Sequence, residues 1–350
     1  MQSKKKNALW SLIAFGLAAL SIWKVADSAR NLDSEDFWGF LRGANPVYLI
    51  ATILCMLLYI LFEGLAILRI LKGFGYKRKI NKGIVYAASD VYFSSITPSA
   101  TGGQPASAFF MNKDGIPFGT VSVTLLLNLV LYTISILLLG VIGMIAFPEV
   151  FFNFSLLSKT LIIIGYIVFV TVTVLFVLLI YNEHWVYKIG HSFIGFFHKI
   201  HIIKKVDKKE AKLKKIVKDY AECSNMISGQ GKMVFVAFLY NFMQRLVFVC
   251  VPVFVYLAGG GSFKDSLEVW CTQIMVTLGS NYVPIPGAMG ISDYLLIDGL
   301  HPLLSSDMAI TLDLYSRGIS FYACVVLSLV ITVGGYIRIN KRTGKEEEES

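Results

Sequence analysis

Charge is scarce in this chain. Of its 350 residues only 16% are Asp, Glu, Lys or Arg, while 55% are hydrophobic and mean hydropathy is +0.65. A soluble domain carries about 25% charged residues, so the deficit excludes a water-solvated fold and assigns lipid as the solvent for most of the chain. Proline is rare, at 9 residues, which leaves long stretches free to be helical and makes each proline informative. The five cysteines, Cys55, Cys223, Cys250, Cys271 and Cys324, are widely separated and mostly sit inside apolar runs. No C-x-x-C spacing occurs, which argues against a metal or redox motif and for small buried hydrophobes. Neither G-x-x-x-x-G-K-[ST] nor G-x-G-x-x-G is present to cradle a nucleotide. His184, His191, His198 and His201 include no i, i+4 pair of the metalloprotease kind. No cofactor and no metal are expected.

What the sequence does contain is apolar length. Spanning the hydrocarbon takes about 20 mostly apolar residues in a helix, and six segments approach or meet that: Leu9 to Lys24, Pro46 to Leu71, Phe118 to Phe147, Lys159 to Tyr181, Met233 to Leu257 and Ala309 to Ile337. The N-terminal run follows Lys4, Lys5 and Lys6 as a signal peptide would, but Trp23-Lys24-Val25 offers no small-residue cleavage site, so it reads as a retained first span. The expected class is an all-α polytopic membrane protein.

Two further stretches, Ile84 to Met111 and Ser266 to Leu300, are apolar but interrupted. The first is broken by Thr97-Pro98-Ser99-Ala100-Thr101-Gly102-Gly103-Gln104-Pro105 and the second by Pro284-Ile285-Pro286-Gly287, so neither forms one straight helix. The net charge of +9 lies in short basic blocks between apolar runs, the pattern of cytoplasmic loops and not of a nucleic-acid-binding face. Lys4 to Lys6 place the N-terminus in the cytoplasm, the acidic loop around Asp33, Glu35 and Asp36 outside, and Lys72 to Lys82 inside again. The Lys-rich stretch from Lys188 to Lys232 and the tail with Arg338, Lys341 and Arg342 are also inside. Both ends of the first broken stretch then face the cytoplasm and both ends of the second face outward. Opposed re-entrant segments of this kind are what an inverted repeat produces, with residues 1–147 and 159–337 as its halves. Two short crossings per stretch satisfy the same parity. The chain is thus read as one membrane domain, with a basic amphipathic loop at 184–232 and a charged tail at 338–350.

Non-helical backbone at membrane depth is tolerated only where protein or a water-filled cavity surrounds it, so the two interruptions mark a cavity. Helix N-termini after each break would aim positive dipole ends and bare N–H groups at a phosphate, and Gly102, Gly103, Gly287 and Gly290 would allow close approach. Ionisable groups within apolar segments face cavities or partners, which selects Glu63, Asp90, Arg245, Asp293, Asp298, Asp313 and Arg317. Arg245 and Arg317 suit a lipid phosphate, and Asp90, Asp293 or Asp313 a cationic headgroup. Internal ion pairing is the competing reading. Asp298 and Asp313 sit near expected helix ends and are expected to be solvated. From Trp185 to Ile200, aromatic and aliphatic residues recur at near-helical spacing beside lysines, as in an interfacial helix on anionic inner-leaflet lipid, and the basic run Lys204 to Lys218 continues it.

The two interruptions resemble those of the lysylphosphatidylglycerol synthetase transmembrane (flippase-like) family, which includes the membrane part of the multiple peptide resistance factor. The resemblance rests on Thr97 through Pro105, on Lys113-Asp114-Gly115, on the Pro284-Ile285-Pro286-Gly287-x-x-Gly290 turn with Asp293, and on Arg317. It implies translocation of a modified phospholipid, such as lysyl- or another aminoacyl-phosphatidylglycerol, and a link to antibiotic resistance. Many relatives carry an acidic residue where Gln104 and Asp293 stand; Gln104 removes that charge. The residues implied in substrate binding are Asp90, Thr97, Ser99, Thr101, Gly102, Gly103, Gln104, Arg245, Pro286, Gly287, Gly290, Asp293 and Arg317. The family name also implies a tRNA-dependent lysyltransferase, but its soluble synthase domain would follow the spans, and this sequence ends at Ser350. A membrane component of such a transferase, or a scaffold recruiting a separate synthase, are the alternatives. Expected partners are the phospholipid, anionic inner-leaflet lipid, a separate synthase and a second copy of the chain, with no nucleic acid bound directly.

Overall fold

A computed structural model describes Gly39 and residues 42–97, 100–199, 206–283, 285–288 and 290–348. The first expected span, Leu9 to Lys24, and the acidic loop around Asp33 lie outside these residues, as do Pro98, Ser99, His201, Lys204 and Pro284. Among the described residues the regular structure is helical throughout. Five helices are long and apolar enough to cross a membrane: α1 (Pro46–Gly73), α4 (Phe118–Ala146), α6 (Leu156–Tyr181), α9 (Gly231–Ala258) and a final helix from Ser306 to Ile339. They correspond to the remaining expected spans, with ends displaced by no more than a turn. Only 17% of the most apolar window of α6 is buried within the protein, and its outward residues Ile163, Ile167, Val174 and Leu178 are exposed. Such a surface is stable only against lipid, and the chain is a multi-pass membrane protein.

Local chemistry sets the helix ends. Asn45 caps α1 by accepting the Val47 N–H at 3.0 Å, with Pro46 in the first turn, a position that lacks nothing by having no N–H. Ser155 and Ser305 cap α6 and the last helix in the same way. Buried hydroxyls in the spans bond the carbonyl one turn back, as Thr124 does to Thr120 at 2.8 Å, which lets them sit inside apolar helices.

The expected breaks are present. The first stretch becomes α2 (Ile80–Ile96) and α3 (Gly103–Lys113), and the second becomes α10 (Ser266–Ser280) and α11 (Ile291–Leu300), with a single 3₁₀ turn at Pro286–Ala288 between them. Each pair folds into an antiparallel hairpin. Lys82 and Tyr86 at the start of the first meet Asp114 at its end, at 2.5 and 2.6 Å. In the second, Gly279 packs against Leu295, and Gly299 against Thr272.

Each hairpin follows one of two long helices that pair with each other. Helices α1 and α9, which precede them, pack along their length in opposite directions: the Asn45 N–H donates to Ala258 O at 2.9 Å, and at the other end Gln230 Nε2 donates to Gly73 O at 2.7 Å. Helix α2 packs on the final helix, and α10 packs on α6 and α4.

Short helices fill the remainder. Helix α5 (Pro148–Asn153) leads into α6; α7 (Glu183–Lys199) and α8 (Val206–Ser228) form the basic loop. The final helix comprises α12 (Ser306–Arg317), a π-helical turn at Gly318–Ala323 and α13 (Cys324–Glu348). Helix α8 is docked onto the fold: Tyr220, Cys223 and Ile227 are buried beside α4, and Tyr220 OH donates to Leu179 O at 2.8 Å. Its exposed lysines Lys214, Lys215 and Lys218 lie on the other face.

Candidate functional site

At the first break the backbone is closed by its own side chains. Asp90, buried in α2, accepts from Gln104 Nε2 at 2.8 Å and from Ser94 Oγ at 2.9 Å. Thr97 Oγ1 accepts the Gly102 N–H at 2.9 Å, and Thr97 O accepts the Ala100 N–H at 3.2 Å. Gly103 sits so close to Ser94 and Asp90 that a Cβ would collide with both, which is the close approach the glycines of the motif allow. Thr101 is exposed at the tip of the turn.

Beside this hairpin lies a charged centre between α1, α4 and α9. Glu63 accepts from Gln244 Nε2 at 2.8 Å, and both residues are buried. The next residue, Arg245, is 3% exposed. Its guanidinium lies 4.7 Å from the Tyr59 ring, 4.4 Å from Tyr132 and 5.5 Å from Phe248, and Nη1 approaches Tyr132 OH at 3.4 Å. Three aromatic faces supply the electron density that water would otherwise give a cation. Nε and Nη2 carry no hydrogen bond. Glu63 feels the charges of both Asp90 and Arg245.

The second break is open. Gly287 (φ +63) and Gly290 (φ +82) carry left-handed backbone there, which L side chains adopt at a cost; a Cβ at Gly287 would also strike the Phe321 ring. Asp293, in the first turn of α11, accepts the Gly290 N–H through Oδ2 at 2.8 Å and forms an ion pair with Arg317 from the final helix. Arg317 also donates to Ser292 Oγ and lies 3.5 Å from Gly287 O. The π-helical turn begins one residue after Arg317; such a turn inserts a residue and re-aims its neighbours. A cavity of about 100 Å³ opens beside this pair, lined by Gln273, Thr277 and Ser280 from α10, Asn281 just beyond it, Ser292 from α11, Asp313, Ser316 and Arg317 from α12, and by apolar Phe248, Pro252, Val276, Leu296 and Phe321. Phe248 therefore touches both centres: one face of the ring environment of Arg245 and one wall of the cavity.

Comparison with known proteins bears on what such a site is for. The family model of the lysylphosphatidylglycerol synthase TM region matches residues 11–328. The chain belongs to this family. It is also similar to a UPF0104 membrane protein of Archaeoglobus fulgidus, with 21% identity over 288 residues that cover 78% of this chain and 82% of that one. No solved structure matches the chain. Membership bears out the resemblance read from the two interrupted motifs, and it gives the protein a membrane role in the lysylphosphatidylglycerol context.

Within this family member, the residues singled out from sequence divide into two groups. Asp90, Thr97, Gly102, Gly103 and Gln104 come together at the first break; Gly287, Gly290, Asp293 and Arg317 come together at the second, where Pro286 opens the 3₁₀ turn. Arg245 stands at the middle. Ser99 lies outside the described residues. The solvated placement expected for Asp313 is corrected: the last helix begins at Ser306, earlier than expected, so Asp313 is two turns inside it, 9% exposed and facing the cavity. Asp298 is likewise engaged, accepting the Ser155 N–H at 2.9 Å. The N–H of Gly290, expected to be free for an anion, is taken by Asp293. Sequence reasoning missed Gln244, Tyr59, Tyr132, Gln273 and Ser292. A Gln244-Arg245 pair within an apolar helix was a usable signal; an aromatic residue among so many was not.

Proposed function

We propose that the protein translocates a modified phospholipid of the aminoacyl-phosphatidylglycerol type between the leaflets of the cell membrane. The observation that carries this reading is the cavity at a broken hairpin, with Arg317 and Asp313 in its wall and Asp293 paired to that arginine, inside an otherwise apolar helical fold. Arg317 suits a lipid phosphate, and Asp293 and Asp313 suit the ammonium of an aminoacyl group. About 100 Å³ holds a headgroup fragment or a few waters, so the acyl chains stay in the surrounding lipid while the headgroup crosses. The hairpins are re-entrant from opposite faces in this reading, with both termini cytoplasmic, and the antiparallel pairing of α1 with α9 supplies the axis about which one half rocks on the other. A separate synthase provides the substrate, and the lysines of α8 rest against anionic inner-leaflet lipid.

The test is leaflet-resolved lipid movement in proteoliposomes, comparing aminoacylated with plain phosphatidylglycerol. Faster movement of the aminoacylated lipid, lost in Arg317→Ala and Asp293→Ala, is the expected outcome. No acceleration over protein-free vesicles for either lipid would contradict the reading.

A further inference from the structure

The buried centre between the halves does not balance. Glu63 lies within electrostatic reach of a second carboxylate, Asp90, and of a single guanidinium, Arg245. Among the described residues, the other titratable side chains near them are Tyr59 from α1, Tyr132 from α4 and Cys324 from the final helix, none of them a carboxylate or a cation. The amides of Gln104 and Gln244 add no charge. With both carboxylates ionised, a dry centre would hold one uncompensated negative charge, which such surroundings do not sustain.

The hydrogen bonds say which group relieves it. Asp90 has donors on both oxygens, Ser94 and Gln104, and donors favour the ionised form. Glu63 receives a single donor, Gln244 Nε2. Gln244 is 1% exposed and its Oε1, in the same buried amide, has no partner. A half-turn of that amide exchanges Nε2 for Oε1; Gln244 then accepts an O–H from Glu63 where it now donates to a carboxylate. The neighbour of Glu63 therefore serves both protonation states without rearranging the helices.

We propose that Glu63 is a proton-binding site, with Asp90 held ionised beside it, and that proton loading and release at Glu63 drives lipid movement by a transmembrane proton gradient. Binding adds one proton to Glu63 and forms its O–H bond to Gln244; release reverses both. The coupling rests on the translocation reading, whereas proton occupancy does not.

Two measurements on the full-length protein separate them. Infrared titration of the protein in lipid nanodiscs is expected to show the C=O band of a protonated carboxylic acid at neutral pH, absent in Glu63→Gln, displaced in Glu63→Asp and altered in its titration by Asp90→Asn. No such band, or one indifferent to every Glu63 substitution, overturns the site. In proteoliposomes, a gradient of one pH unit is expected to bias lipid movement by up to about tenfold, and Glu63→Gln to abolish that bias. Lipid movement that ignores the proton gradient, or follows a sodium gradient, overturns the coupling and leaves translocation standing. Absence of lipid movement under every gradient defeats the translocation reading instead, while the infrared titration still decides the site.

Discussion

The two hairpins share a topology and differ in chemistry. In the first, an acid meets an amide: Asp90 binds Gln104 and Ser94, Thr97 seals the turn, and glycine brings the arms into contact. In the second, an acid meets a cation, the turn runs through two left-handed glycines, and a cavity of mixed polar and apolar lining stands beside it. The first break is thus sealed by its own side chains, and the second has a cavity beside it. The difference teaches that a helix break does not by itself set the chemistry around it; the residue opposite each carboxylate does.

The largest effect is expected at the second hairpin. Arg317→Ala leaves Asp293, Ser292 and the cavity without their cation; removing one member of a largely buried pair costs about 3 kcal/mol, and lipid movement should fall by more than about tenfold, since the remaining carboxylate has lost its charge partner. Thermal unfolding in detergent and the leaflet assay report the two losses separately. Arg317→Lys should restore stability more than transport, because an ammonium lacks the planar fork.

The sealed side should respond in stability first. Gly103→Ala forces a methyl into Ser94 and Asp90, and overpacking of this kind costs about 1–3 kcal/mol, read as a lower unfolding midpoint. Gln104→Glu tests the comparison itself, because it replaces the amide donor by a second carboxylate facing Asp90. Loss of about 1–3 kcal/mol is expected at neutral pH, recovering on acidification as one of the two carboxylates takes a proton. Smallest is Lys82→Ala at the base of the first hairpin. Asp114 keeps Tyr86 OH and the loss is about 1 kcal/mol, with lipid movement little changed.

How much of this was legible in the sequence depends on the kind of interaction. The five described spans were, because lipid demands continuous apolar length: the stretch Phe118 to Phe147 became α4 (Phe118–Ala146), and Met233 to Leu257 became α9 (Gly231–Ala258). Both breaks were, because proline and glycine punctuate helices by local sterics. Partnerships across the fold were not. Glu63 and Gln244 are 181 residues apart in the chain, and nothing local to either names the other. Asp313 was misjudged because its burial depends on where the last helix begins and on the cavity beside it, neither of which a hydropathy run reveals. The docking of α8 escaped for a related reason: its lysines dominate the composition, while the face made by Tyr220, Cys223 and Ile227 does the packing.

The most direct test of the account is whether a lipid headgroup occupies the cavity of the second hairpin. Ser320 lines it, and the native cysteines other than Cys250 are buried, so the rate at which Ser320→Cys reacts with a membrane-impermeant thiol reagent, less that of the parent protein, reports access to the site. The account predicts that aminoacyl-phosphatidylglycerol slows this reaction in a dose-dependent way and that Arg317→Ala abolishes the protection. A labelling rate indifferent to every phospholipid headgroup, with the cavity still reactive, would contradict it.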